Sequence, residues 1–227
     1  MPEIIAVFDL DRTLLKENST QLFGAHFFKK GSVGLIDYLV AYLLYCCYLL
    51  RAISLKTLIE KATNRFFKGK NLDELKALSN EYWASKCTAE GLWNPTVLWH
   101  WKDLSQRSAC LGIMTSAPSF IVDPIARHLK ADFVLSTQFK TTPQNADDLR
   151  HILALEAAVT GESKKAYLEK VKKKYHGAQI FGFGDSLDDW PFLSICQKIF
   201  LVKPSRSLLQ RARKHINSHD QVSVHVL

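Results

Sequence analysis

Residues 3–8 of this 227-residue chain read EIIAVF, a short β-branched and aromatic run that breaks off at two acids, Asp9 and Asp11. An apolar run of this length, with no polar alternation, has the pattern of a strand buried on both faces. Such strands belong to parallel sheets, and parallel sheets need helical crossovers, so this one segment already restricts the rest of the chain. Ligands of open parallel sheets bind outside the carboxyl ends of the strands. The end of this strand, at Asp9 and Asp11, is therefore a place where chemistry can sit.

The pattern that follows agrees. From about residue 18 to 88 the chain is helical in period, punctuated by Gly31, Gly34, Gly69 and Asn71, with no convincing strand. The pair Asn94-Pro95 opens a helix to about Gln106, since proline suits a first helical turn. A strand is expected at Ala109–Met114, a helix at Ser119–Leu129 and a strand at Phe133–Ser136. After a polar linker come a helix at Ser163–Tyr175, a strand at Gln179–Phe183, and a helix leading to a strand at Ile199–Val202. Strands separated by helices imply right-handed crossovers. The expected architecture is α/β: a Rossmann-like parallel-sheet core formed by residues 1–16 and 89–227, with residues 17–88 inserted as a helical unit that has a core of its own.

Composition supports a globular chain and little else. At 47% hydrophobic and 23% charged residues there is ample apolar material for a core, which excludes disordered and fibrous classes. A net charge of +8 suggests attraction to anions without choosing among phosphate metabolites, nucleic acid and anionic lipid. The lysines of 170–174 have the look of a solvated helix face, and no nucleic-acid motif accompanies them. Five cysteines, an odd number without a CxxC pair, indicate neither a disulfide framework nor a zinc site and fit a reducing, cytoplasmic setting. The N-terminal sequence carries no basic leader.

The polar residues expected at strand ends form three groups. Asp9, Asp11 and Thr13 follow the first strand, Thr115 and Ser116 the second, and Asp185, Ser186, Asp188 and Asp189 the strand near 180; Lys164 and Lys165 stand at a helix start. Carboxylates converging from two strand ends repel one another unless a cation lies between them, and hard oxygen donors of this kind suit Mg²⁺. Two aspartates spaced i, i+2 point the same way in a continuing strand, so one can attack phosphorus while the other exchanges protons. Each part also has a plain structural reading. DLDRT can be an Asx turn, GDSLDD a glycine turn with an N-capped helix, Thr115-Ser116 a cap pair, and Lys164 one more solvated lysine. The order and placement of all four together argue for a site.

In that order, FDLDRT, the apolar run ending at Thr115, GESK around Lys164 and GDSLDDWPFL resemble the four motifs of the haloacid dehalogenase-like superfamily. The helical insertion after the first motif resembles the C1-type cap of its phosphoserine phosphatase-like subfamily IB, and VKPSRSLLQRARKH resembles that subfamily's final segment. The resemblance implies a Mg²⁺-dependent phosphatase acting on a small phosphorylated substrate. It implies Asp9 as the nucleophile that becomes an aspartyl-phosphate and Asp11 as general acid and base. Thr115 and Lys164, with Ser116 beside them, would bind phosphate. Asp9, the backbone carbonyl of Asp11, and Asp185 would hold the metal, supported by Thr13, Ser186 and Asp189. The chain departs from the pattern at Arg12, where glycine is commoner. It also has Ser116 and Ala117 where phosphoserine phosphatases carry a glycine pair, and Asn18 where their cap begins with a substrate-binding glutamate, unless an offset of one residue brings the adjacent Glu17 to that place. The last two differences argue against phosphoserine as substrate.

One stretch fits less simply. Tyr38–Leu50, YLVAYLLYCCYLL, is thirteen uncharged residues between Asp37 and Arg51. A spanning helix needs about 20 residues. A helix packed in the core of the cap is the preferred reading. The alternative is a helix facing anionic lipid at a membrane surface, as in the similar subfamily members that act on phosphatidylglycerophosphate.

Overall fold

The structure is a computed structural model and describes residues 2–31, 33–89, 91–142, 150–217 and 222–227. The first strand, β1 (Ile4–Phe8), occupies the middle of a seven-stranded sheet. The others are β2 (Cys110–Pro118), β3 (Phe133–Thr141), β4 (Ile152–Ala157), β5 (Gln179–Gly184), β6 (Lys198–Leu201) and β7 (Ser223–Val226). They lie in the order β4-β3-β2-β1-β5-β6-β7, and every pairing is parallel except that of β3 with β4. Ile5 to Phe8 are fully buried because helices cover both faces of β1. Ala6 and Phe8 enter one apolar cluster, while Ile5 and Val7 enter the other, as the strand period of two requires.

Between β1 and β2 the chain makes α1 (Ser19–Lys29), α2 (Leu35–Leu49), α3 (Leu55–Ala62), α4 (Leu72–Lys86) and α5 (Pro95–Gln106). Asn18, Ser54 and Asn71 cap α1, α3 and α4, each side chain accepting a backbone N–H of the first turn. The remaining helices, α6 (Ser119–Leu129), α7 (Gly161–Lys174), α8 (Trp190–Leu193) and α9 (Arg206–Ile216), connect the later strands.

The strands expected from the sequence need correction. The second and third strands run on to Pro118 and Thr141, because their polar ends still pair along the sheet. The polar linker contains β4, which pairs antiparallel with β3; residues 143–149 of that linker lie outside the described residues. A seventh strand, β7, follows α9. Both overlooked strands are short edge strands whose burial does not alternate along the chain, so they carry little periodic signal.

The helical insertion does not have a core of its own. Phe23, Leu75, Tyr82 and Trp83 belong to the same buried cluster as Phe8 and Ile113 of the sheet. Phe67 and Phe120 meet edge to face at 5.3 Å, and Phe23 and Phe120 at 6.1 Å. Backbone bonds join the two parts as well, Gly69 N–H to Ile152 O and Leu72 N–H to Arg150 O, both at 2.7 Å.

Nor is Tyr38–Leu50 a buried core helix. No residue of α2 is buried, and Ile36, Leu39 and Leu43 on its outer side are 73%, 56% and 62% exposed. A helix that is apolar all round has no intrinsic inner face, so periodicity gave no reason to leave one side in water. Among the described residues no helix is long and apolar enough to cross a membrane.

Candidate active site

Asp9 is the first residue beyond β1, and its backbone N–H donates to Phe183 O at 2.9 Å, tying it to β5. The chain then turns: Asp11 is extended, and Arg12 takes a left-handed conformation at φ 61°. Asp9 and Asp11 both line a cavity between the sheet end and the helices of residues 19–67.

Lys164 is placed by α7. This helix begins at Gly161, after a Thr160–Ser163 capping box, and only glycine fits there because a Cβ would lie 2.1 Å from the carbonyl oxygen of Asp188. That close approach sets α7 against the loop after β5. Lys164, 4% exposed, donates to Asp9 Oδ1 at 2.6 Å and to Asp189 Oδ1 at 2.7 Å. Asp189 is held in turn by the Ser186 hydroxyl at 2.8 Å. Asp11 accepts from Ser19 N–H at 2.7 Å and from Asn18 Nδ2 at 2.9 Å, so the start of α1 fixes its carboxylate.

Carboxylate oxygens of Asp9, Asp185 and Asp189 lie within 4.8 Å of one another, opposed by the single ammonium of Lys164. Burial first, and then repulsion from Asp189, push Asp9 well above the ordinary carboxylate range despite Lys164. The same two causes push Asp185 up to about 7. Burial raises Asp11 as well, against the hydrogen bond from the Ser19 backbone. Burial pulls Lys164 down, but Asp189 and Asp9 outweigh it and hold the ammonium above the ordinary lysine value. Three hard oxygen donors with excess negative charge fit a divalent cation such as Mg²⁺. Among the described residues the second oxygen of Asp9 accepts no hydrogen bond.

The structure brings Asp9, Asp11, Ser116, Lys164, Asp185, Ser186 and Asp189 around one cavity. It does not bring Thr115 there. That residue is fully buried and its hydroxyl accepts Ala117 N–H at 3.2 Å, whereas Ser116 lines the cavity. Thr13 is also buried away from the cavity, its hydroxyl without a hydrogen-bond partner among the described residues. Asp189 joins Asp9 and Asp185 in the cluster of acid side chains, alongside the Asp11 backbone carbonyl that the resemblance assigns as a metal donor.

Sequence reasoning missed Thr137, Thr160, Tyr45 and Tyr48, which also line the cavity. Tyr45 accepts a short hydrogen bond from Arg12, and Tyr48 donates one to Asp188. Both tyrosines sat inside the apolar stretch 38–50, and nothing in the sequence marked their hydroxyls as facing these charges.

The sequence profile of haloacid dehalogenase-like hydrolases matches residues 6–194. The chain belongs to this family. No curated protein sequence matches this haloacid dehalogenase-like hydrolase. Its fold is similar to that of a Bordetella pertussis protein of unknown function, with a TM-score of 0.79 and 18% identity over 99% of this chain and 98% of that one. A phosphoserine phosphatase captured as a phospho-aspartyl intermediate analogue superposes with a TM-score of 0.65 at 11% identity, over 100% and 94%. A phosphoserine phosphohydrolase-like protein from Francisella tularensis does so with a TM-score of 0.62 at 16% identity, over 95% and 98%. These likenesses establish the shared architecture of the hydrolase.

Proposed function

We propose that this hydrolase is a Mg²⁺-dependent phosphatase that cleaves a phosphate monoester through an aspartyl-phosphate on Asp9. The observation that carries the reading is the pair of neighbouring acids in unlike settings. Asp9 lies against the Lys164 ammonium, whereas Asp11 is held beside it by hydrogen bonds from Asn18 and the Ser19 backbone. The first suits a nucleophile and the second a proton donor.

Asp9 attacks phosphorus, forming a carboxyl–phosphate bond as the bond to the ester oxygen breaks. Asp11 delivers its proton to that departing oxygen, then takes one from the water that releases inorganic phosphate from Asp9. Lys164 offsets the charge of the phosphoryl oxygens, and Asp189 keeps Lys164 in place. Ser116 supplies the hydroxyl of the phosphate cradle. Asp9, Asp185 and the backbone carbonyl of Asp11 would hold the Mg²⁺, which when bound supplies further neutralisation of phosphoryl charge. In this reading residues 17–88 are a cap over the core of 1–16 and 89–227, excluding water from the reaction. Five free cysteines are compatible with work in the cytoplasm.

The test is phosphate release from a panel of small monoesters with Mg²⁺ and with chelator, for the wild type and Asp9→Asn. Release that requires the metal and disappears in a folded Asp9→Asn protein is expected. Undiminished turnover by that variant overturns the mechanism.

A further inference from the structure

The phosphate end of the cavity accounts for little of its wall. The space measures about 430 Å³ and extends from Asp9 and Lys164 under the helices, past Phe23, Phe27, Tyr45, Ile59, Phe67 and Phe139. That volume is ample for an organic group beyond the phosphate.

Apart from Asp185 in the acid cluster, the charged side chains that reach it already have partners. Arg12 is bonded to Tyr45, Asp188 to Tyr48, and Asp11 to Asn18 and Ser19. Asp37, the acid on the α2 side, is paired with Arg65 at 2.6 Å. Asn18, where the phosphoserine enzymes resembled in sequence carry a glutamate, is doubly used: its amide nitrogen bonds Asp11 and its oxygen caps α1 through Gln21 N–H at 3.0 Å. A leaving group carrying an ammonium or a carboxylate would thus be desolvated against phenyl and aliphatic side chains without a partner, which strongly disfavours binding.

We propose that the alcohol released by this enzyme is hydrophobic, an alkyl or aryl group seated in the cavity between α1, α2, α3 and the end of β3. The inference rests on the phosphatase reading and adds to it the substrate class. Tyr45 and Tyr48 line the cavity beside Arg12 and Asp188. Their hydroxyls are drawn to Arg12 and Asp188, which leaves their rings as the wall that the leaving group touches. The same group can be offered by a soluble amphiphile or by a lipid monoester in a bilayer, against which the exposed Ile36, Leu39 and Leu43 of α2 could rest.

The experiment measures kcat/KM with Mg²⁺ for ethyl, butyl, hexyl and octyl phosphate in solution, for O-phosphoserine, and for dodecyl phosphate in phosphatidylcholine vesicles. The expected result is a rise of about fourfold per added methylene until the cavity is filled, with phosphoserine below butyl phosphate. Ile59→Asp, checked for folding by its thermal transition, should flatten that slope, and Ile59→Leu should restore it. Turnover of the soluble esters identifies a soluble amphiphile as an adequate source. Turnover confined to vesicles assigns the group to a bilayer, and both support the class. Metal-dependent hydrolysis of ethyl phosphate with a flat series, or with phosphoserine preferred, overturns this inference and leaves the phosphatase standing. Release from none of these esters overturns the phosphatase reading and the inference with it.

Discussion

Replacing Lys164 by methionine removes the one ammonium that the structure places among the acids at the sheet end while keeping most of the side-chain volume. The lysine is buried and bonds Asp9 at 2.6 Å and Asp189 at 2.7 Å. Removing one partner of a buried pair leaves charge uncompensated and typically costs about 3–5 kcal/mol. In a chain of this size each kcal/mol lowers the melting temperature by about 2–4 °C, so Lys164→Met should melt about 6–20 °C below wild type in chelator. The pH dependence has a definite sign. Asp9 binds its proton more tightly folded than unfolded, so its ionisation costs stability as pH rises through the folded value, and Lys164 is what moderates that cost. The gap between variant and wild type should be wider at pH 8 than at pH 5. Calorimetry of both proteins at the two pH values is the assay, with Lys56→Met as control. Lys56 makes an exposed pair with Glu60 at 3.9 Å, and its loss should shift stability by no more than about 0.5 kcal/mol. If Lys164→Met melts within a degree of that control, the buried ion network does not hold the site together as argued.

Two further expectations follow from positions that the sequence alone misjudges or leaves open. Leu43→Lys on the outer side of α2 should change stability by no more than about 0.5 kcal/mol, since Leu43 is 62% exposed; a loss of about 2–5 kcal/mol in urea unfolding would restore the buried-helix reading. Gly161→Ala puts a Cβ 2.1 Å from the Asp188 carbonyl and 2.9 Å from Pro191 Cγ. It should cost about 1–3 kcal/mol and lower kcat by displacing Lys164 from Asp9; a variant as stable and as active as wild type would show that α7 need not approach this closely.

The sequence by itself determined the α/β class, the central strand and most of the acids of the site. An all-apolar five-residue run is unambiguous in period, and Asp9 and Asp185 follow strands directly, with Asp11 and Asp189 in the turns that come next, so their placement needs mostly local geometry. What depended on long-range contacts was not legible. Whether Thr115 or Ser116 reaches the cavity turns on how β2 continues into Pro118 and shifts register against β3, which composition does not encode. The edge strands β4 and β7 are strands because a neighbour offers hydrogen bonds, not because their side chains alternate. The same holds for α2: its residues are apolar on every side, and only the packing of α1 and α3 decides which side closes the cavity and which stays exposed. Local propensity and spacing are properties of neighbouring residues, whereas burial is a property of the surfaces the whole chain brings together.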